Sequence, residues 1–284
     1  MKRHLSTLGA MLLIATLIFS GCQAQQGPAI PADPVEAVKL IADKQQEIQS
    51  QHLDLNLDLT LKVSGLPADD PSAAMLNNFK ATAAVGGDVD SAKQDFQFNG
   101  TADLGIFTSF LAPGSDELKF DLVKVGDTMY SRVGDQAWQE SAVDTSASGG
   151  AAAADFSDLS GLLKKVARAE RLGDEAIDGA DSYHFKVSLD PVELLNELAK
   201  LGESAAGVNP DDLAQATELL KDSIVDLDIW IGKADLFIRQ QKLYLKIDLK
   251  NIPDAPPDAA VLAEINLTSK NSKINQPVTI SAPQ

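Results

Sequence analysis

A single cysteine in 284 residues, Cys22, rules out any internal disulfide. Histidine is nearly as scarce, with only His4, His52 and His184 present. There is no His-Glu-x-x-His pair, no Cys-x-x-Cys pair and no histidine cluster, so the chain lacks a ligand set for zinc. Phosphate-cradling loops of the P-loop or Gly-x-Gly-x-x-Gly type are missing as well. So are the Gly-x-Ser-x-Gly elbow and a Ser-x-x-Lys joined by Lys-Thr-Gly. His52 and His184 fall singly beside apolar strands, where a histidine is structural far more often than catalytic. No catalytic residue, metal or cofactor is therefore expected, and a hydrolase ranks last among the function classes.

Positive charge is also short: 24 Lys and Arg stand against 41 Asp and Glu, a formal charge of −17. Loss of residues 1–21 removes Lys2 and Arg3 and no acid, so the charge moves from −17 to −19. Such a surface repels phosphate backbones and anionic headgroups alike. Nucleic-acid binding is excluded, and adhesion through a polybasic patch is disfavoured. The acidic pairs Asp54 with Asp58, Asp88 with Asp90, and Asp226 with Asp228 lie on strand-like segments, but the twelve-residue calcium-loop pattern is absent. Solvated faces are their ordinary reading.

What is present begins with Lys2 and Arg3, a mostly apolar run from Leu12 to Phe19, and small residues Ser20-Gly21 before Cys22. That is the three-part plan of a secretory signal peptide. The run falls short of the ~20 residues that cross a bilayer comfortably. Phe19-Ser20-Gly21-Cys22 resembles a bacterial lipobox, with Phe where Leu is commonest. The resemblance implies cleavage after residue 21 and acylation of Cys22, which also accounts for the unpaired thiol. Each buried methylene contributes ~0.8 kcal/mol and stable anchoring takes about two chains, a condition that a diacylglyceryl cysteine meets. Residues 22–32 read as the lipidated cysteine and a flexible tether, whose ten residues after Cys22 reach roughly 16–19 Å.

From residue 33 onward the pattern is that of one folded domain, 33–284. Asp33-Pro34-Val35-Glu36 offers an N-cap, a proline at the first helical turn and a capping-box glutamate. Val35, Val38, Ile41 and Ile48 follow on one helical face, predicting a helix that ends near His52. Leu53, Leu55, Leu57, Leu59, Leu61 and Val63 then alternate with polar residues, the signature of a strand with one buried face. Weaker alternation recurs at 81–90, 95–104, 118–122 and 129–132, and again at 183–189, 225–231, 237–249 and 261–268. Helices are expected around Leu159–Val166, after Asp190-Pro191-Val192-Glu193 (Leu194, Leu195, Leu198, Leu201), and over Asp211–Lys221. Ser146–Ala154 (SASGGAAAA) reads as a surface loop. Trp138 and Trp230 are read first as core anchors. Eight to ten antiparallel strands and three or four helices make an α+β fold.

In this order the elements resemble the LppX/LprG family of envelope lipoproteins, which share a LolA-like fold. The helix and long strand over Asp33–Val63 match, as do Val125-Gly126-Asp127-Thr128-Met129-Tyr130 and Ile177-Asp178-Gly179-Ala180-Asp181-Ser182-Tyr183. Leu227-Asp228-Ile229-Trp230-Ile231-Gly232, Leu236-Phe237-Ile238-Arg239 and the ending Asn275-Gln276-Pro277-Val278-Thr279-Ile280 complete the likeness. SASGGAAAA and the Asn209–Ser223 segment depart from it. The resemblance implies a strongly curved antiparallel sheet, a half-barrel, with helices packed on its concave face and an apolar cavity between them for acyl chains such as palmitate. It implies an extracytoplasmic protein, lipid-anchored to the cell membrane or to an outer membrane, that carries or presents lipids or lipoglycans. An envelope transporter or protein partner belongs to the same expectation. Candidate lining residues, taken from alternation, are Leu55, Leu57, Leu59, Leu61, Phe120, Leu122, Val187, Ile229, Leu245 and Ile247. The competing expectation is a structural or sensory envelope lipoprotein with a solid core that binds a protein partner.

Overall fold

The computed structural model of the chain describes residues 27–66, 76–112, 114–142, 160–190, 223–250, 256 and 258–284. The signal peptide, Cys22, the SASGGAAAA loop and the helices expected after Asp190 and over Asp211–Lys221 lie outside the described residues.

Alternating sequence becomes one antiparallel sheet of eleven strands in the order β6-β5-β4-β3-β2-β1-β11-β10-β9-β8-β7. The strands are β1 (Ser50–Ser64), β2 (Phe79–Asp90), β3 (Asp95–Asp103), β4 (Leu118–Val125), β5 (Thr128–Val133) and β6 (Gln139–Ala142). They continue as β7 (Arg168–Ile177), β8 (Ala180–Ser188), β9 (Ile224–Gly232), β10 (Ile238–Lys250) and β11 (Ala260–Ser272). The sheet is open, with β6 and β7 as its edges. Two strands exceed the nine segments read from alternation. β6 is exposed at all its positions, and β7, RAERLGDEAI, has no buried position. An edge strand wet on both sides carries no period-two signal, and the charges of β7 suit an edge that must not recruit further strands.

The hairpins follow their turn chemistry. Asp178 and Gly179 between β7 and β8 both have positive φ, +50° and +85°, as a type I′ turn demands. Gly126 between β4 and β5 has φ +58°.

Helix α1 (Pro34–Gln45) begins where its sequence says, with the Asp33 carboxylate accepting from the N–H groups of Val35 and Glu36. The capping box is only half made, because Glu36 pairs with Lys39 at 3.0 Å. The helix stops at Gln45, short of His52. There the Gln45 side chain donates to the carbonyls of Ile41 and Leu236 and accepts from the Ile238 N–H, tying the helix end to β10. Its buried face is Ala37, Val38, Ile41 and Ala42; Val35 and Ile48 are only half-buried. A 3₁₀ turn (Gly105–Phe107) runs into the short α2 (Thr108–Leu111) between β3 and β4, and α3 is Ser160–Lys164.

Packing is unequal along the sheet. The α1 face, with Leu163 and Val166 from α3 and the turn after it, is buried against Phe185, Val187, Leu227, Ile229, Ile231 and Ile238 of β8–β10. A separate cluster of Leu53, Val89, Phe96 and Phe98 joins β1, β2 and β3. Ile41 is fully buried, so Ile41→Ala is expected to cost ~2–5 kcal/mol by urea denaturation. Leu59→Ala, at a half-buried position, is expected to cost less than half as much in the same titration.

Candidate functional site

Cross-strand pairing decides which side chains share a face, since directly opposed residues point the same way. Leu55, Leu57, Leu59 and Leu61 on β1 oppose Ser269, Leu267, Ile265 and Ala263 on β11. Ile265 and Ala263 in turn oppose Leu245 and Ile247 on β10. Across Gln241 this face continues to Ile229, and Val187 of β8 stands beside Leu227 on the same side. In the other direction Leu55 opposes Val85, Val85 opposes Gly100, and Gly100 and Phe98 oppose Phe120 and Leu122. All ten residues picked from alternation therefore lie on one face of the sheet.

Their burial divides them. Val187 and Ile229 are fully buried in the α1 cluster, while the other eight are half-buried. Along β1 the change is abrupt: Leu53 is 1 % exposed, and every apolar residue from Leu55 to Val63 is half-buried. Near the Leu53 end the same face carries buried polar groups, Gln51, Gln241 and Ser269. Among the described residues the apolar face is thus fully buried at the Leu53 end of β1 and half-buried toward the other.

The opposite face is polar and cross-linked by charge. The His184 ring lies between two carboxylates, 3.1 Å from Glu175 and 2.9 Å from Asp228. It stacks on Trp230 at 4.2 Å between ring centres. The Trp230 indole N–H donates to the second oxygen of Glu175 at 2.9 Å. His52 likewise meets Asp88 at 2.6 Å. Neither histidine is solitary, contrary to the sequence reading: strand pairing brings carboxylates from other strands beside each of them. Trp230 is buried, as expected of an anchor, but within this polar face. Trp138 is only half-buried and packs under the Arg132 guanidinium at 4.7 Å, so it is no core anchor. The acidic pairs also have cationic partners: Asp226 bonds Lys186 and Asp90 bonds Lys93. Among the described residues no three His, Cys, Asp or Glu side chains are grouped to hold a metal ion.

A groove of about 550 Å³ runs over the polar face of β1–β5, where Ala84 and Gly86 leave a gap between Asp54, Asn56, Asn99 and Asp121. A second hollow of about 380 Å³ lies between Trp138, Val123 and the C-terminal residues Ser281–Gln284. Both lie chiefly against polar-face side chains, whereas the sequence reading expects its cavity on the apolar face. The signal for the groove was the pair of small residues at outward positions of β2.

An open antiparallel sheet with one apolar, partly covered face and one charged face defines the class of arrangement. No protein-family model and no curated protein matches the chain. Among solved structures it is similar to the lipoprotein LppX of Mycobacterium tuberculosis, at 14% identity over 86% of this chain and 98% of that one, TM-score 0.41. LprF from Mycobacterium bovis is similar at 14% identity over 89% of this chain and 99% of its own, TM-score 0.43. A putative outer membrane lipoprotein-sorting protein domain from Vibrio parahaemolyticus is 10% identical over 86% of this chain and 95% of its own, TM-score 0.26.

Carboxylates on both sides of the sheet set a pH dependence. Donation from Trp230, then from His184, holds the Glu175 carboxyl below its ordinary value. Lys233 and then Arg171 do the same for Asp174, and Lys93 for Asp90. A carboxyl with a lowered folded-state pKa stabilises the fold above the unfolded pKa of ~4 and loses that contribution as pH falls through the folded value. Thermal melting is expected to weaken from pH 6 down to pH 3, and Glu175→Gln to flatten part of that slope. A melting temperature that climbs on acidification contradicts this assignment.

Proposed function

We propose that the chain is a membrane-anchored envelope lipoprotein, acylated at Cys22, whose apolar sheet face holds lipid acyl chains. In this reading it carries or presents lipids or lipoglycans, and no catalytic group takes part. The observation that carries it is the half-buried state of Leu55, Leu57, Leu59, Leu61, Phe120, Leu122, Leu245 and Ile247 on one continuous face. A solid core buries such residues fully; a face that keeps hydrocarbon half-exposed has free energy to gain from hydrocarbon supplied by a ligand. Each buried methylene contributes ~0.8 kcal/mol. A sixteen-carbon chain such as palmitate supplies ~12 kcal/mol before the costs of association. The face needs no charge for this, and its half-buried stretch from Leu55 to Leu61 rises about 20 Å at ~3.3 Å per residue. The sheet's curvature and the covering of its concave side by helices belong to the same proposal.

Native mass spectrometry of the protein purified from a bacterial host tests the reading. The expected spectrum shows adducts in the mass range of acyl lipids that leave on activation; a bare protein mass under gentle conditions contradicts it. Leu57→Asp is expected to keep a cooperative melt and lose the adduct. If it instead unfolds the protein, the face is a packed core, because an unpaired carboxylate is strongly destabilising only where it is truly buried.

A further inference from the structure

Three of the large apolar residues that stand exposed lie within six positions of one another: Ile106 at 46 %, Phe107 at 37 % and Leu111 at 56 %. They form a ledge on the 3₁₀ turn and α2, between β3 and β4. The stretch from Leu104 to Ala112 contains no charged residue, in a chain that is 23% charged overall.

The ledge is built, not loose. The Asp103 carboxylate accepts from the Gly105 N–H at 2.8 Å, and the Thr108 hydroxyl accepts from the Leu104 N–H at 2.7 Å. Thr108 itself is 2 % exposed. The Ser109 hydroxyl donates to the Ile106 carbonyl at 2.8 Å. Gly105 has φ +58°, which turns the chain outward at little steric cost. Every hydroxyl of the turn is thus spent within it, Thr108 donating to the Asp103 carboxylate at 3.4 Å, and hydrocarbon is left facing out.

Position gives the ledge its meaning. Phe107 meets Phe79 edge-to-face at 5.6 Å, and Phe79 opposes Leu61 on the apolar face of the sheet. The ledge therefore continues that face at the end where its described residues are half-buried. The chain enters the body at the other end. A side chain at Gly27 has no room, as its Cβ would lie 1.7 Å from the Lys233 carbonyl oxygen, in the turn joining β9 to β10. From the level of His52 to that of Leu61 the sheet rises about 30 Å at ~3.3 Å per residue. Anchoring ahead of Gly27 would hold the fully buried end, so the half-buried end needs a contact of its own to reach lipid.

We propose that the Ile106–Phe107–Leu111 ledge is a bilayer-contacting rim, seated at the headgroup–acyl boundary beside the half-buried end of the apolar face. Its purpose rests on the acyl-chain reading above; its geometry does not. A bilayer fits better than a protein partner. Stable protein interfaces bury ~1,200–2,000 Å² with a hydrogen bond per ~100–200 Å², whereas this ledge has three outward side chains and no outward donor or acceptor among them. An acidic chain also needs a contact that gains nothing from charge, and apolar side chains at the interface supply it.

The test uses the full chain reconstituted in phosphatidylcholine vesicles, with and without bromine on the acyl chains. Phe107→Trp places an indole on the ledge, read against the background of Trp138 and Trp230 in the parent. Brominated lipid is expected to quench the added emission at least twofold. Ile106→Ser with Leu111→Ser in the same protein is expected to abolish that quenching while circular dichroism and the melt stay unchanged. The parent with both serines is then expected to take up lipid from donor vesicles about tenfold more slowly, at unchanged final occupancy by native mass spectrometry. An added indole that brominated lipid does not quench overturns the proposal, as does quenching that survives both serines. Quenching with no bound lipid leaves the rim standing and removes the carrier reading. Bound lipid with no quenching does the reverse. Should the serine pair disturb the melt, Ile106→Lys alone, at an exposed position, serves as the replacement and is held to the same outcomes.

Discussion

Everything in this molecule depends on the register of the central strand pair, β1 with β11. Side chains alternate with a period of two, so a slip of one residue exchanges the faces. In the observed register Leu57 opposes Leu267 and Leu59 opposes Ile265, while Asp58 opposes Asn266. Shifted by one, Asp54, Asn56 and Asp58 would enter the apolar face and the leucines would face water. Because the sheet is continuous, the same choice passes outward through β10 to β9 on one side and through β2 to β4 on the other. One pairing decision thereby sorts nearly all the hydrocarbon of eleven strands onto a single side.

The two halves then diverge for a packing reason. On β8–β10 the small face of α1, with Ala37 and Ala42 beside Val38 and Ile41, lets the helix sit close and exclude solvent completely. On β1 beyond Leu53, and on β4 and β11, the leucines and Phe120 stay half-buried. The solid half supplies stability and the looser half leaves hydrocarbon to be satisfied. On the reverse side the ion pairs are partly solvent-exposed, such as Lys186 with Asp226, so each contributes little to stability. Their part is to keep that face wet. A half-buried apolar face and a polar, charged face are thus two consequences of the same alternation.

Much of this was legible in the sequence, and the physical reasons for the rest are specific. Strand β1 announces itself because six apolar residues alternate with five polar ones. The Asp33 cap is equally local. All ten face residues fell on one side because the period fixes parity even when pairing partners are unknown. Strand β7 was invisible because an edge strand with Arg168, Glu170, Arg171, Asp174 and Glu175 has no buried position to mark a period. The end of α1 at Gln45 depends on bonds to Leu236 and Ile238, nearly two hundred residues away. The His184–Trp230–Glu175 stack needed the pairing of three strands. Burial was the least legible property: alternation says which way Leu57 and Ile229 point, and nothing about α1 lying over one of them. The polar-face groove comes from side chains that Ala84 and Gly86 do not have.

The most direct measurement is a crystal structure of the protein soaked or co-crystallised with a fatty acid brominated along its chain, read by anomalous scattering from bromine. The account predicts bromine over the apolar face, within contact distance of Leu57, Leu59, Leu245 and Ile247. Bromine confined to the polar-face groove near Asn56 and Asn99, or no ordered bromine beside an interior filled by protein, contradicts it.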